Sequence, residues 1–161
     1  MPIITTFCLI IYVFFILFII SGLFKHKNIQ VACLQNMPFV SVVIAARNEE
    51  YFISDLITDL VAQEYPLEKL EVIIVNDRSN DSTLDILNKA ENDYALIKII
   101  TVDKASETMT PKKHALTLGI ESAKGEIIIL TDADCRVGQL WVSSMVYSVI
   151  NQNCISIGFS E

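Results

Sequence analysis

After Pro38 the chain alternates between short unbroken apolar runs and longer stretches whose apolar residues recur every three or four positions. Val40 to Ala46 (VSVVIAA) reads as a strand from its β-branched content. Phe52, Ile53, Leu56, Ile57, Leu60 and Val61 form a helical stripe. Its start is expected around Asn48 to Glu50, where acids suit the positive end of a helix, and Tyr65-Pro66 stops it. Leu70 to Val75 (LEVIIV) is the second strand, and Asn76 to Ser82 is a turn cluster. Ser82 with Asp85 has the spacing of a capping box for a helix running to about Asn92. A third strand spans Ile97 to Val102, and a third helix spans Lys112 to Lys124 with Gly125 as its stop. Ile127 to Leu130 makes a fourth strand, Trp141 to Ile150 a helix, and Cys154 to Gly158 a fifth strand.

Strand and helix repeated four times, with continuous apolar strands, predict an α/β fold whose mostly parallel sheet carries helices on both faces. Right-handed crossovers then bring every strand's carboxyl end to one edge. That edge collects Arg47, Asn48 and Glu49 after the first strand, Asp77 after the second, and Asp132 and Asp134 after the fourth. Open α/β sheets bind ligands in the crevice at this edge.

The first stretch has a different character. From Ile3 to Phe24 roughly 22 residues carry no charge, enough for a helix to cross a ~30 Å hydrocarbon core. The missing basic leader and the absence of a small-residue cleavage site argue against a cleaved signal peptide. Lys25, His26 and Lys27 follow at once, so the positive-inside rule predicts a single-pass membrane protein with residues 25–161 cytoplasmic. The expected organisation is an anchor over 3–24, a tether over 25–38 and a ligand-binding part over 39–161.

Beyond Pro38 lie all 19 acids but only 10 of the 12 bases, a formal charge of −9. No basic face is available to displace counterions from a phosphate backbone, so nucleic acid is excluded as a partner. The four cysteines, Cys8, Cys33, Cys135 and Cys154, lack the paired spacing of a zinc or redox site and read as reduced thiols.

Asp132 and Asp134 carry the clearest chemistry. Two carboxylates one residue apart repel each other unless something positive lies between them, and a hard cation such as Mg²⁺ or Mn²⁺ suits their oxygens. Such an ion leaves coordination sites for diphosphate oxygens and neutralises a leaving diphosphate. A solvated turn is the alternative for this pair. Asp77 stands in Val75-Asn76-Asp77-Arg78-Ser79, which local turn chemistry alone explains; its place at a strand end also lets it accept a base N–H or ribose hydroxyl. Lys112, Lys113 and His114 open the third helix against its dipole, consistent with an anionic partner or with a plain solvated patch. His114 has no second His or Cys at metal spacing and reads as a surface residue. No Gly-x-Gly-x-x-Gly follows the first strand, no Gly-Lys-Ser/Thr loop exists, and no serine elbow is present.

In combination, four blocks resemble a known family. They are Val40-Ser-Val-Val-Ile-Ala-Ala-Arg-Asn-Glu-Glu50, Glu71-Val-Ile-Ile-Val-Asn-Asp-Arg-Ser-Asn-Asp-Ser-Thr83, Lys113-His-Ala-Leu116 with Gly119, and Ala123-Lys-Gly-Glu-Ile127 continuing to Thr131-Asp-Ala-Asp-Cys135. In this order they are similar to the inverting, processive-type family 2 glycosyltransferases of GT-A fold, over roughly residues 38 to 160. The resemblance implies a nucleotide-sugar donor, most often a UDP-sugar, and a lipid or glycan acceptor at a membrane. It implies that Ala45, Arg47, Glu49 and Asp77 contact the nucleoside and that Lys113 lies near the donor. Asp132 would approach the ribose or the metal, and Asp134 would ligate Mn²⁺ or Mg²⁺.

The family's later acidic base and its Gln-x-x-Arg-Trp block have no counterpart before Glu161. The expectation is therefore a donor- and metal-binding half, with the general base beyond Glu161 and little transfer by these residues alone, since general-base catalysis supplies roughly 10²–10⁴-fold. A membrane-anchored nucleotide-sugar binding module, or a truncated fragment, is the alternative. A nucleotidyltransferase would need a glycine-rich basic loop after the first strand, where AARNEE stands instead.

Overall fold

The computed structural model describes residues 2–23 and 37–152. The chain divides into two compact units, residues 1–30 and 31–161. In the first, α1 (Pro2–Leu23) is a single helix whose described side chains are almost all exposed.

The expected membrane span, and with it the cytoplasmic placement of residues 25–161, is overturned. Among the described residues no helix is long and apolar enough to cross a membrane. The uninterrupted apolar run lies between Thr6 and Ser21. At 1.5 Å per residue it rises only ~21 Å, short of the ~30 Å hydrocarbon core.

The second unit is a sheet of four parallel strands in the order β3-β2-β1-β4. The strands are β1 (Val40–Ala46), β2 (Leu70–Asn76), β3 (Ile97–Thr101) and β4 (Ile127–Asp132). Between them run α2 (Ile53–Val61), α3 (Thr83–Asp93) and α4 (Pro111–Ser122), and α5 (Trp141–Gln152) follows.

Alternation along β1 sorts the core into two layers. Val40, Val42, Ile44 and Ala46 pack with Ile53, Leu56 and Leu60 of α2, Leu87 of α3 and Val142 and Val146 of α5. Val43, with Ile73 and Val75 of β2, packs on the opposite face against Ala115 of α4. Helices therefore cover both faces, as the continuous apolar strands predict.

Three local expectations are corrected. The first helix of the second unit starts at Ile53 rather than near Asn48, because Asn48 turns the chain with φ 58° and the Glu49 carbonyl accepts from Phe52 and Ile53 N–H. Ser82 makes no side-chain cap on α3. Asp81 supplies it, its Oδ1 accepting from Thr83 N–H at 3.0 Å, while Ser82 N–H donates to Glu50. Finally, among the described residues β4 is an edge strand: Ile128 and Leu130 are 40% and 49% exposed, because α4 lies over β1 and β2. The expected fifth strand, Cys154 to Gly158, lies outside the described residues.

Two glycines bring elements into close approach. At Gly125, an added Cβ would collide with the backbone of Ser41, whose Oγ accepts from Gly125 N–H at 2.8 Å. At Gly119 a Cβ would collide with Val43 Cγ1 and come within 3.1 Å of Val75 Cγ2. Gly119 thus sets how closely α4 lies on the sheet. Gly119→Ala is expected to destabilise the fold by about 1–2 kcal/mol, the overpacking outweighing a helix-propensity gain of roughly 1 kcal/mol. Urea unfolding of the two proteins at one pH measures it.

Candidate functional site

β1 is hydrogen-bonded on both sides in parallel register, so Ala45 stands level with Val75 of β2 and with Asp132 of β4. The segments leaving these strands consequently open into one cleft of about 270 Å³ at the carboxyl edge. It is lined by Ala45, Arg47, Glu49, Asp77, Lys112, Asp132 and Asp134, with Ala46, Pro111 and Ala133 completing the wall. Ala45 presents only a methyl group and leaves the floor open.

On one side of this cleft stands Asp77, 3% exposed and directly after β2. Its Oδ1 accepts from Arg78 Nε at 2.9 Å, and its Oδ2 lies 3.6 Å from Arg47 Nη1. Arg78 adopts φ 54°, a left-handed conformation that non-glycine residues hold at a cost of roughly 1 kcal/mol or more. The loops after β1 and β2 are tied together here. Glu49 N–H donates to Thr83 Oγ1 at 2.8 Å, Asn80 N–H to Asn48 Oδ1 at 2.8 Å, and Asn48 N–H to Ser79 Oγ at 3.1 Å.

Across the cleft, Asp132 ends β4 and Asp134 follows in a turn closed by Cys135 N–H donating to the Asp132 carbonyl at 3.3 Å. Lys112 Nζ lies 2.7 Å from Asp132 Oδ1. This contact raises the lysine's pKa, with Asp134 adding to the effect. Glu49 is pushed above its ordinary value, first by burial and then by the negative charges of Asp134, Asp81 and Asp132. One lysine therefore faces several carboxylates, and the local field attracts cations.

Of the residues expected at the site, Ala45, Arg47, Glu49, Asp77, Asp132 and Asp134 come together. Lys113 does not line the cleft; Lys112, one residue earlier, does. The sheet-facing side of α4 is marked by Ala115 and Gly119, three and seven residues beyond Lys112. Helical spacing puts 112, 115 and 119 on one side and turns 113 away. That small-residue stripe was the available signal. Arg78, the second guanidinium on Asp77, was also missed, since a residue inside a turn has no periodicity to mark it.

Among the described residues no group of three or more His, Cys, Asp or Glu is arranged to hold a metal ion. Asp132 and Asp134 supply the hard oxygen donors that Mg²⁺ or Mn²⁺ prefers. Sites of this kind commonly take one or two carboxylates and complete the shell with substrate phosphates and water. The donor set thus fits an ion shared with a diphosphate, not one caged by protein alone.

The family model described as Glycosyl transferase family 2 matches residues 41–159, most of the chain and all four strands. The chain belongs to that family. A probable glycosyltransferase, YdaM of Bacillus subtilis (strain 168), is 33% identical over 84% of this chain and 34% of its own length. The β-monoglucosyldiacylglycerol synthase of Trichormus variabilis is 36% identical over 70% of this chain and 24% of its own. Among solved structures, the mannosyltransferase PcManGT from Pyrobaculum calidifontis, in complex with GDP-Man and Mn²⁺, superposes with a TM-score of 0.65. It is 26% identical, covering 71% of this chain and 33% of that one. The family's GT-A fold is therefore the fold of the second unit. The chain spans about a third or less of the length of the curated relatives it matches.

The raised pKa of Glu49 has a sign that can be tested. The native state binds this proton more tightly than the unfolded chain does, so the ionised side chain penalises the fold. The penalty is absent below the ordinary value of 4.5 and grows as pH rises through the raised native value. Glu49→Gln is thus expected to stabilise the protein at pH 7 by up to about 1 kcal/mol. Urea unfolding should show the difference closing as pH falls below 4.5.

Proposed function

We propose that the cleft binds a nucleoside diphosphate sugar, specifically a UDP-sugar, as the donor site of a glycosyltransferase acting on a lipid or glycan acceptor. The observation that carries the reading is the meeting, in one cleft, of a buried carboxylate between two arginines and an acidic pair beside a lysine. The first arrangement suits a base, and the second suits a metal-bound diphosphate.

Hydrogen-bond pattern supports uracil as the base. Asp77 is an acceptor flanked by the donors Arg78 and Arg47. Uracil presents the complement, one N–H between two carbonyls. Guanine presents one carbonyl followed by two N–H donors, and would leave an arginine facing a donor. Glu49 and Arg47 are assigned to the nucleoside side of the cleft. Lys112 takes the diphosphate role that the family resemblance implied for Lys113, because it is the lysine on the cleft wall.

Asp134, with Asp132, is assigned to hold Mn²⁺ or Mg²⁺, which would draw off the charge that develops on the departing nucleoside diphosphate. Asp132 can contribute only as far as Lys112 releases it, so Asp134 is the principal ligand of the two. Transfer to a lipid or glycan is supported by the name of the β-monoglucosyldiacylglycerol synthase relative. The assigned role of the residues present here is to bind and orient the donor.

Calorimetric titration of the full chain with UDP, with and without Mn²⁺, tests the donor reading. Binding heat should depend on the metal, and Asp134→Ala should remove that dependence while leaving metal-free binding in place. Equal heats with and without metal in the wild type would sink the assignment. Asp77→Asn is expected to weaken UDP by about 10- to 100-fold, the effect of losing a charged hydrogen-bond acceptor. GDP should bind the wild type more weakly than UDP.

A further inference from the structure

The acidic turn is held from behind by a network that donor binding does not explain. α2 turns Ile53, Leu56, Ile57 and Leu60 into the core. On its other side Asp55 and Asp59 stand one helical turn apart. Arg136, two residues after Asp134, closes on both. Its Nε and Nη2 take the two oxygens of Asp59 at 2.6 and 2.9 Å, and its Nη1 reaches Asp55 Oδ2 at 3.2 Å. Val137 N–H adds a third bond to Asp59, at 3.2 Å.

Gln63, beyond the end of α2 and buried, continues the seam. Its Nε2 donates to the Gly138 carbonyl at 2.8 Å, and its Oε1 accepts from Val142 N–H at 2.9 Å. Glu64 N–H donates to the Gln139 carbonyl at 2.8 Å, and Ser143 Oγ to the Glu64 carbonyl at 2.7 Å.

Asp134 is therefore an arch between two fixed feet. On the near side Ala133 is 3% exposed and sits in the core. On the far side Arg136 and Val137 are clamped to Asp59. The chain between the feet is two residues long, too short for the backbone of Asp134 to shift far without breaking one of them.

Stability alone is a poor account of this clamp. Arg136 and Asp59 have side chains 55% and 14% exposed, and ion pairs with an exposed partner contribute little to folding. A planar fork taking both oxygens of a carboxylate fixes direction as well as distance, which an isolated charge does not. Direction is what a carboxylate needs if it is to meet an ion held partly by a substrate.

We propose that Asp59 and Gln63, acting through Arg136 and the 137–142 segment, are positioning residues that hold Asp134 in its cation-binding orientation. The inference rests on the donor-site reading, in which Asp134 is the principal metal ligand. It also gives α2 a double role. The turn that starts this helix carries Glu49 into the cleft, and the helix's far end braces the opposite, acidic wall.

The test is Mn²⁺ affinity in the presence of saturating UDP, read from the electron paramagnetic resonance of free Mn²⁺ for the full chain. Metal-free UDP affinity and the thermal unfolding midpoint are measured alongside. Asp59→Asn is expected to weaken Mn²⁺ binding about tenfold, the usual effect of losing a group that orients a metal ligand. UDP affinity without metal should stay at the wild-type value. Arg136→Lys keeps the charge, loses the fork and should shift Mn²⁺ affinity in the same direction; it carries the test if Asp59→Asn does not fold. Unchanged Mn²⁺ affinity in a folded variant overturns the proposal, as does an equal loss of metal-free UDP binding. A wild type that binds no Mn²⁺ with UDP overturns the donor-site reading itself.

Discussion

The pairing of β1 on both sides, in parallel and in register, is the constraint from which the site follows. Because Ala45 is level with Val75 and Asp132, the three segments that leave the sheet there emerge side by side. Their polar residues can meet without any long loop having to fold back. The same pairing buries β1 except at Ala45, which is half-buried and forms the floor of the cleft. Ligand-binding side chains on such a floor gain orientation from the fold itself.

Charge at the rim is balanced in a different way from the one that two neighbouring aspartates imply by themselves. Asp132 is neutralised by Lys112, a protein cation, while Asp134 makes no ion pair among the described residues and adds to the field that raises Glu49. The two carboxylates of the acidic motif therefore differ in what they offer. One is already engaged by a lysine of the protein itself. The other projects from a short arch. Asp77, on the opposite side, is a buried carboxylate set between two guanidinium groups, an arrangement that supplies donors and an acceptor along one line.

Family membership and site geometry bear on each other. The match to Glycosyl transferase family 2 covers all four strands, so the sheet that organises the cleft is the shared part. The matched part is about a third or less of each of those relatives. What the present residues form is a cleft with a floor at Ala45, a wall at Asp77 with Arg47, and an acidic wall braced by α2.

Periodicity along the chain was enough to place the second unit's described strands and helices to within a few residues, because a strand buried on both faces must be apolar throughout and a covering helix must be apolar on one side. It also sent Arg47, Glu49, Asp77, Asp132 and Asp134 to one edge, since parallel strands leave no other choice. Apolarity alone misled for α1, whose unbroken run is too short to cross a bilayer, and for β4, whose apolar residues lie half exposed at the sheet's edge. Three matters were decided only in three dimensions. Lys112 rather than Lys113 faces the cleft because α4 seats its small residues on the sheet. Asp81 rather than Ser82 caps α3, its carboxylate taking Thr83 N–H while Glu50 from the loop after β1 takes Ser82 N–H. Arg136 finds Asp59, 77 positions away in sequence, because α2 and the acidic turn are neighbours only after folding. Local pattern specifies which face of an element is buried; the partners of a polar side chain depend on which elements end up adjacent, and that is a property of the packed sheet.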